Sequence, residues 1–203
     1  GSNATIGHGL GVKPNLILFK RLDSNGSWVV YHSSLGATKY LSLNSTASES
    51  TASDEFQNTE PTNSLISIGT DGGVNGTTMV AYAFAEKTGY SKFGSFLGNS
   101  SADGTFVYTG FKPSLVMYKR YDSGSSGDWV LVDNKRGAGS DELIKKYVHS
   151  NTTAAEGSTT LMDFLSNGFK MRVNDATSNQ GSIIYMAFGQ SIVGSNNVPA
   201  TAR

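Results

Sequence analysis

An internal repeat constrains the fold of this chain more than any single motif does. Residues 13–24 (Lys-Pro-Asn-Leu-Ile-Leu-Phe-Lys-Arg-Leu-Asp-Ser) align without a gap with residues 112–123 (Lys-Pro-Ser-Leu-Val-Met-Tyr-Lys-Arg-Tyr-Asp-Ser), 99 positions later. Trp28-Val29-Val30 recurs as Trp129-Val130-Leu131 after 101 positions, and residues 80–86 recur as 184–190 after 104 positions. The chain therefore consists of two tandem copies of about a hundred residues, with length changes confined to turns.

Copy two opens with a strand-like segment that has no counterpart in copy one. This segment is Tyr90-Ser91-Lys92-Phe93-Gly94-Ser95-Phe96-Leu97-Gly98, whereas residues 1–5 of copy one stand where 98–105 stand in copy two. We expect the sequence to be either the C-terminal part of a longer polypeptide or a chain cut inside a repeat. The predicted domains are 1–89 and 90–203, either as two units or as one compact sandwich.

Short apolar runs, rich in β-branched and aromatic residues, alternate with clusters of Gly, Asn, Asp and Ser, as is typical of strands joined by turns. The predicted strands are 16–19, 28–31, 40–43, 65–68 and 79–85 in copy one, and 93–97, 106–111, 115–118, 129–132, 169–173 and 183–188 in copy two. Residues 16–19 and 183–186 are continuously apolar, which predicts central strands covered on both faces. The predicted fold is all-β, an antiparallel β-sandwich of jelly-roll or lectin-like form.

Two local elements carry more specific signals. Residues 20–28 are predicted to form a hairpin with a tight reversal at Asn25-Gly26, and residues 119–129 repeat it. One short helix is predicted over 140–149, as an insertion that covers one end of the sheets like a lid. Its signals are an N-cap at Ser140, acids at Asp141 and Glu142, and a shared apolar face of Leu143, Ile144, Tyr147 and Val148.

Composition excludes several classes of protein. Sixteen basic side chains balance sixteen acidic ones, so the basic surface expected of a nucleic-acid binder is missing. Without cysteine the chain has no disulfide, thiol nucleophile or thiolate metal site. The longest apolar stretch, 79–85, is far shorter than the roughly 20 residues that span a bilayer. We therefore expect no nucleic-acid partner and no membrane insertion.

A search for reactive groups finds no convincing active site. The three histidines, His8, His32 and His149, accompany no nucleophile motif, and the adjacent acids 54–55 and 141–142 do not form the separated pair of a glycosidase. The oxygen-rich loops 71–76 and 174–179 are read as Asx turns in preference to calcium sites. We predict no catalytic residue, no cofactor and no metal.

Tyrosines are the remaining candidates for ligand contact. Tyr31, Tyr40, Tyr108 and Tyr121 are the predicted ligand-binding residues, with Tyr90 as a further possibility, because aromatic rings stack on sugars. The alternative is that these rings complete the sheets. Trp28 and Trp129 occupy equivalent positions, which favours a structural role. Lys20-Arg21 and Lys119-Arg120 recur beside Asp23 and Asp122, which favours local ion pairs over a partner-binding patch.

Several motifs, in this order along the chain, resemble a repeat domain of tailed-phage virion proteins that is abundant in marine and cyanobacterial phages. They are Gly-His-Gly-Leu-Gly-Val-Lys-Pro (7–14), Leu-Gly-Ala-Thr-Lys-Tyr-Leu (35–41), Gly-Tyr-Ser-Lys-Phe-Gly-Ser (89–95), Phe-Val-Tyr-Thr-Gly-Phe-Lys-Pro (106–113), Asp-Phe-Leu-Ser-Asn-Gly-Phe-Lys (163–170) and Ile-Tyr-Met-Ala-Phe (184–188). The resemblance covers nearly the whole chain. It implies a virion structural role and brings no established catalytic residues.

The resemblance implies a non-enzymatic component of a tail fibre or appendage that contacts a glycan or a surface protein of the host cell. Its expected location is the virion surface, after synthesis in the host cytoplasm. Its expected partners are other virion proteins and host glycan, and by analogy it forms a homo-oligomer, a trimer. The alternative is a capsid decoration or assembly protein with no host ligand. A polysaccharide-degrading enzyme ranks below both.

Overall fold

A computed structural model describes residues 1–76, 78–122, 127–136 and 143–190. Across these residues the fold is all-β, as predicted, with sixteen strands and one four-residue helix. Copy one contains β1 (Ala4–Gly7), β2 (Leu16–Arg21), β3 (Val29–His32), β4 (Lys39–Ser42), β5 (Ser50–Thr51), α1 (Ser53–Phe56), β6 (Leu65–Ile68) and β7 (Met79–Phe84). Copy two contains β8 (Ser91–Asn99), β9 (Phe106–Tyr108), β10 (Pro113–Arg120), β11 (Val130–Asp133), β12 (Leu143–Ile144), β13 (Tyr147–His149), β14 (Met162–Leu165), β15 (Gly168–Met171) and β16 (Gln180–Gly189).

The strands form four sheets, and every sheet takes its strands from one copy only. In copy one the sheets have the orders β5-β4-β3-β2-β7 and β1-β6. In copy two the orders are β13-β11-β10-β16-β8 and β12-β14-β15-β9. The paired strands are antiparallel. Each copy is thus a five-stranded sheet faced by a smaller sheet.

Three apolar cores lie between these layers. The core of copy one joins its five-stranded sheet to β6 and α1, through residues such as Phe19, Phe56 and Ile66. The core of copy two joins its two sheets through residues such as Tyr118, Phe164 and Phe169. A third core joins the two five-stranded sheets face to face, with Leu16, Val30 and Leu41 from copy one packed with Phe93, Met117, Trp129, Ile184 and Met186 from copy two.

The continuously apolar strands occupy the centre of this stack, as predicted. On β2, Ile17 and Phe19 face the core of copy one, whereas Leu16 faces the third core. On β16, Ile183 and Tyr185 face the core of copy two, whereas Ile184 faces the third core. Because successive side chains of a strand point to opposite faces, only a strand covered on both sides buries all of them.

The hairpin of copy one is present, but its predicted tight reversal is wrong. β2 and β3 pair with Phe19 opposite Val29, so residues 22–28 form a longer connection. A two-residue turn of the Asn-Gly type needs positive φ at both positions, and neither Asn25 nor Gly26 has one. The Lys20 ammonium group donates to the Gly26 carbonyl at 2.8 Å and closes the longer loop.

The predicted helical insertion is also wrong wherever the structure describes it. Leu143 and Ile144 pair with β14, and residues 147–149 pair with β11. Ser140, Asp141 and Glu142 lie outside the described residues. Strand pairing overrides the local helical pattern, because β-branched and aromatic residues such as Ile144, Tyr147 and Val148 favour strands when a partner strand is present. The one helix, α1, lies instead in copy one.

Within residues 1–76, 78–122, 127–136 and 143–190, no helix has the length and apolar character needed to cross a bilayer.

Candidate ligand-binding face

The structure buries one of the four predicted ligand-binding tyrosines. Tyr31 is 1 % exposed, and its hydroxyl donates to the Glu60 carboxylate at 2.6 Å. The same carboxylate accepts the Lys13 ammonium group at 2.8 Å and the Ala37 amide at 2.6 Å. Tyr31 therefore anchors the loop of Glu60 to β3 and has no ring face free for a ligand.

Tyr40 and Tyr121 are half-buried and contribute to the cores. Tyr40 packs against the core of copy one, and Tyr121 packs against the core between the copies. The Tyr121 amide and carbonyl are also engaged, with Ser182 and Glu49 respectively. These two rings fit the alternative interpretation, in which tyrosines complete the sheets.

Tyr108 is the one member of the set that is largely exposed. It is 64 % exposed on the edge strand β9, and Phe106, two residues earlier, is 45 % exposed. Val107 between them is buried in the core of copy two. Alternation along the strand thus places both rings on the outer face of the smaller sheet. Sequence reasoning missed Phe106, although the aromatic-x-aromatic spacing was a usable signal.

Two glycines lie beside these rings. A Cβ atom at Gly168 would clash with the Val107 carbonyl oxygen of β9 and would lie 3.1 Å from the Phe106 ring. A Cβ atom at Gly110 would be in ordinary contact with Tyr108, but Gly110 has φ +83°, a conformation that side-chain-bearing residues rarely adopt. Glycine is therefore required at 168 by the close approach of β9 and at 110 by the backbone conformation.

Charged side chains flank the two rings. Lys170 lies directly opposite Phe106 in the strand register and pairs with Asp103 at 2.5 Å. Arg172 lies 3.5 Å from the same Asp103 carboxylate and also pairs with Asp163. The hydrogen bond from Lys170 holds the pKa of Asp103 below its usual value. We name Phe106, Tyr108, Asp103 and Lys170 the aromatic face.

Copy one has no aromatic face. The register pairs Ile6 of β1 with Ile66, as it pairs Val107 of β9 with Phe169, so β1 is the counterpart of β9. Thr5 and Gly7 then stand where Phe106 and Tyr108 stand in copy two. The fold therefore does not require aromatic rings at these positions, and the two rings are a specific feature of copy two.

The histidines have structural surroundings. His32 is 1 % exposed, its Nε2 lies 3.1 Å from the Tyr185 carbonyl oxygen, and its Nδ1 accepts the Ser34 amide. The ring of His8 bridges the Thr62 carbonyl and the Leu10 amide. His149 lies 3.8 Å from Asp128 and edge-on to Tyr147. Through these contacts the histidines stabilise the conformation of loops and strands.

In the part of the chain that the structure describes, no group of three or more His, Asp or Glu side chains is arranged to hold a metal ion. The oxygen-rich loops form the predicted Asx turns. Asp71 accepts the Gly73 amide at 2.6 Å, and Asp175 accepts the amides of Thr177 and Ser178.

The recurrent arginines form the local ion pairs that the sequence predicted, whereas the recurrent lysines donate to backbone carbonyls instead: Lys20 to Gly26, and the buried Lys119 to Gly127. Arg21 pairs with Asp23 and Arg120 pairs with Asp122, each at 2.6 Å.

Residues 1–191 match the family described as "Domain of unknown function (DUF7483)". No curated protein and no solved structure matches the chain.

Proposed function

The chain belongs to the DUF7483 family, whose description states no activity, so we propose a function from the surface of the chain itself. We propose that it is a non-enzymatic domain of a phage tail fibre or other virion appendage, and that it contacts a host-surface glycan. The observation that carries the proposal is the pair of exposed rings, Phe106 and Tyr108, at positions where copy one has Thr5 and Gly7.

The chemistry of the aromatic face suits a sugar. The flat faces of Phe106 and Tyr108 offer apolar surface to the C–H groups of a pyranose ring, and the Tyr108 hydroxyl adds a polar group. Asp103, which is 79 % exposed at its side chain, and Lys170 supply an acceptor and a donor beside the rings. A shallow exposed face of this kind suits the end or a branch of a surface polysaccharide.

The proposal includes the partners expected of an appendage protein. We propose that the chain is made in the host cytoplasm, is assembled with other virion proteins and is displayed on the virion surface. By analogy with phage appendages it forms a homo-oligomer, a trimer, which would raise weak single-site binding through multivalency.

A glycan array followed by calorimetric titration of the hits tests this proposal. We expect saturable binding of surface glycans, and we expect Tyr108→Ala to weaken that binding about fivefold, since stacking on an aromatic ring is worth on the order of 1 kcal/mol. Phe106→Ala is expected to act in the same direction.

Tyr82→Ala is the matched control, because Tyr82 is also an exposed tyrosine, at 49 %, but lies on β7 of copy one. It should bind glycan like the unmodified chain. Failure of the intact oligomer to bind any glycan or host cell, or equal binding by the Tyr108→Ala chain, would contradict the proposal.

The second candidate is a capsid decoration or assembly protein, whose partner is another virion protein. The open edge of β7 favours it, because an unpaired strand edge takes a polypeptide and not a sugar. Cryo-electron microscopy of whole virions separates the two candidates by locating the chain on the appendage or on the capsid.

A further inference from the structure

The two five-stranded sheets have different edges. The counterparts of β2, β3 and β4 are β10, β11 and β13, and the counterpart of β7 is β16, 104 positions later. β16 has β10 on one side and β8 on the other, whereas β7 has β2 on one side and no strand on the other among the described residues. Within the described ranges, the position beside β7 thus holds no strand, whereas β8 holds the corresponding position beside β16.

The missing strand leaves β7 exposed. In β16 five successive residues, 183–187, are all buried. Their counterparts 79–83 on β7 are all partly or fully exposed, and Tyr82 is exposed to 49 %. The same residue positions therefore differ in burial because β8 lies beside β16, whereas none of the described residues forms a strand on the open side of β7.

A cavity of 290 Å³ lies beside β7, on the face of the sheet that carries the core of copy one. Ile6, Ile68, Met79 and Ala81 are among its lining residues. In copy two the corresponding space holds Phe96 of β8, which lies opposite Ile183, the counterpart of Met79. Phe96 packs on Phe169 and Tyr185 with ring centroids 5.9 and 6.2 Å away.

On the opposite face of the sheet, β8 carries a second aromatic residue, Phe93. Phe93 of β8 lies opposite Met186 and is 4 % exposed in the core between the copies. The counterpart of Met186 is Tyr82, whose exposed ring stacks on Trp28 at 6.2 Å. An aromatic side chain in the position of Phe93 would meet these two rings.

Asn75 repeats an anchor that holds the end of β8. Asn179 donates to the carbonyls of Val173 and Ser101, and its Oδ1 accepts the Asn99 amide at the end of β8. Asn75 donates to the counterpart carbonyls, those of Gly69 at 2.6 Å and Ser2 at 2.7 Å. Its Oδ1 accepts no hydrogen bond within the described part of the chain. Gly1 lies beside this oxygen, because a Cβ atom at Gly1 would be 2.5 Å from it. The oxygen can therefore accept an amide only from a strand that ends before the place of Gly1.

We propose that β7, Asn75 and the adjoining cavity form an acceptor groove for an extended peptide of the β8 type, which adds antiparallel to β7 as a sixth strand. The occupant has aromatic residues at the positions of Phe93 and Phe96, one for each face of the sheet. Its carboxyl end lies beside Ser2, as the end of β8 lies beside Ser101. Strand addition of this kind derives affinity from main-chain hydrogen bonds and specificity from side-chain pockets.

The backbone register defines which amides bind. The Asn15 and Leu22 amides donate to the carbonyls of Phe84 and Thr78, so the backbone N–H and C=O groups of the even-numbered residues of β7 point toward β2. The backbone groups of Met79, Ala81 and Ala83 therefore point toward the open edge. In β8 the Phe93 amide donates to Glu86 and the Leu97 carbonyl accepts from Thr105, so these two backbone groups point away from β16. The backbone groups of Gly94 and Phe96 therefore point toward β16, and those of the bound peptide would point toward β7.

Titration of the full chain with a synthetic peptide of residues 90–99, which ends at the residue whose amide meets Asn179 in copy two, tests the groove. We expect saturable one-to-one binding by calorimetry, and new protection of the Met79, Ala81 and Ala83 amides by hydrogen exchange. A peptide with Phe96→Ala should bind at least about tenfold more weakly, because it leaves the cavity unfilled. The chain variant Ala81→Trp should also lose binding, since its ring occupies the cavity.

Backbone-modified peptides give the sharpest control, because they do not alter the fold of the chain. N-methylation at Gly94 removes a donor that faces β7 and should abolish binding. N-methylation at Ser95 modifies an amide that faces away and should leave binding within about twofold. Leu97→Trp, which also introduces a tryptophan but at an exposed site of copy two, controls for Ala81→Trp.

Three results would overturn the proposal. They are no binding at the highest soluble peptide concentration, equal binding by the two N-methylated peptides, and exchange changes confined to β8 and β16, which would show displacement of β8 instead. The glycan assay is independent of this test, since the aromatic face and the acceptor groove share no residue.

Discussion

His32 and its counterpart in copy two, Asp133, are different residues that accept the same kind of backbone hydrogen bond. His32 accepts the Ser34 amide, two positions later, at Nδ1. Its counterpart Asp133 accepts the Lys135 amide, also two positions later. His32 additionally reaches the Tyr185 carbonyl across the core between the copies, and its near-complete burial lowers its pKa to about 4. The ring is therefore neutral at pH 7, with Nε2 as the donor.

This burial makes the stability of the chain sensitive to mild acid. Between pH 6.5, the usual pKa of histidine, and about 4, the unfolded chain binds a proton that folded His32 does not bind. The contribution is therefore fully present above pH 6.5 and is lost as the pH falls towards 4, by roughly 3 kcal/mol in total. Urea unfolding at a series of pH values measures it.

His32→Asn is the matched variant, because an Asn oxygen can still accept the Ser34 amide, as Asp133 accepts its counterpart. We expect the difference in unfolding free energy between the two chains to change across this pH window and to be constant above it. A pH-independent difference would show that His32 does not cause the effect.

The two tryptophans just before β3 and β11 share one hydrogen bond and differ in another. In both copies an asparagine side-chain oxygen accepts the tryptophan amide: Asn44 for Trp28 at 3.0 Å, and Asn151 for Trp129 at 2.9 Å. Only Trp129 is deeply buried, at 2 % exposure, and its indole N–H donates to the Ser42 carbonyl of copy one at 2.9 Å. The tryptophans are thus structural, and one of them joins the copies.

We expect Trp129→Phe to destabilise the chain by about 2 kcal/mol, because it removes a buried hydrogen bond and part of a buried ring. Trp28→Phe is the comparison, since Trp28 is half-buried, and its cost should stay below about 1 kcal/mol. Chemical denaturation of both variants measures the two values. Equal losses would mean that the contact with Ser42 contributes little.

The whole molecule is joined by its third core. The two five-stranded sheets share Leu16, Val30 and Leu41 on one side and Met117, Trp129 and Ile184 on the other. Phe84 of copy one and Phe188 of copy two add an edge-to-face contact at 6.1 Å. Separation of the copies would expose this apolar surface to water, so we expect them to unfold together.

Leu41→Ala tests this coupling, because Leu41 is 1 % exposed in the shared core. The expected loss is about 2 to 4 kcal/mol, with a single transition in calorimetry and in both fluorescence and circular dichroism. Two separated transitions in the unmodified chain, or a variant that lowers only one of them, would show that the copies unfold independently.

Much of the architecture could be predicted from residue patterns. The gapless repeat, eleven of the sixteen strands in the described residues and the double burial of 16–19 follow from local alternation and from apolar runs. The strands β1, β5, β12, β13 and β14 were not predicted. The strand at 147–149 was predictable too, because Tyr147 is the counterpart of Tyr40 on a predicted strand. Its helical pattern was misleading, since helix propensity is weak beside strand pairing.

The sites could not be predicted in the same way. Tyr31, Tyr40, Tyr108 and Tyr121 all lie in or next to strand-like segments, yet only Tyr108 has a largely free ring. Periodicity states that neighbouring side chains face opposite ways, but not which face another sheet covers. The aromatic face exists because β9 is an edge strand, and the acceptor groove exists because β7 lacks the neighbour that β16 has. Strand order decides both, because burial depends on distant segments of the chain.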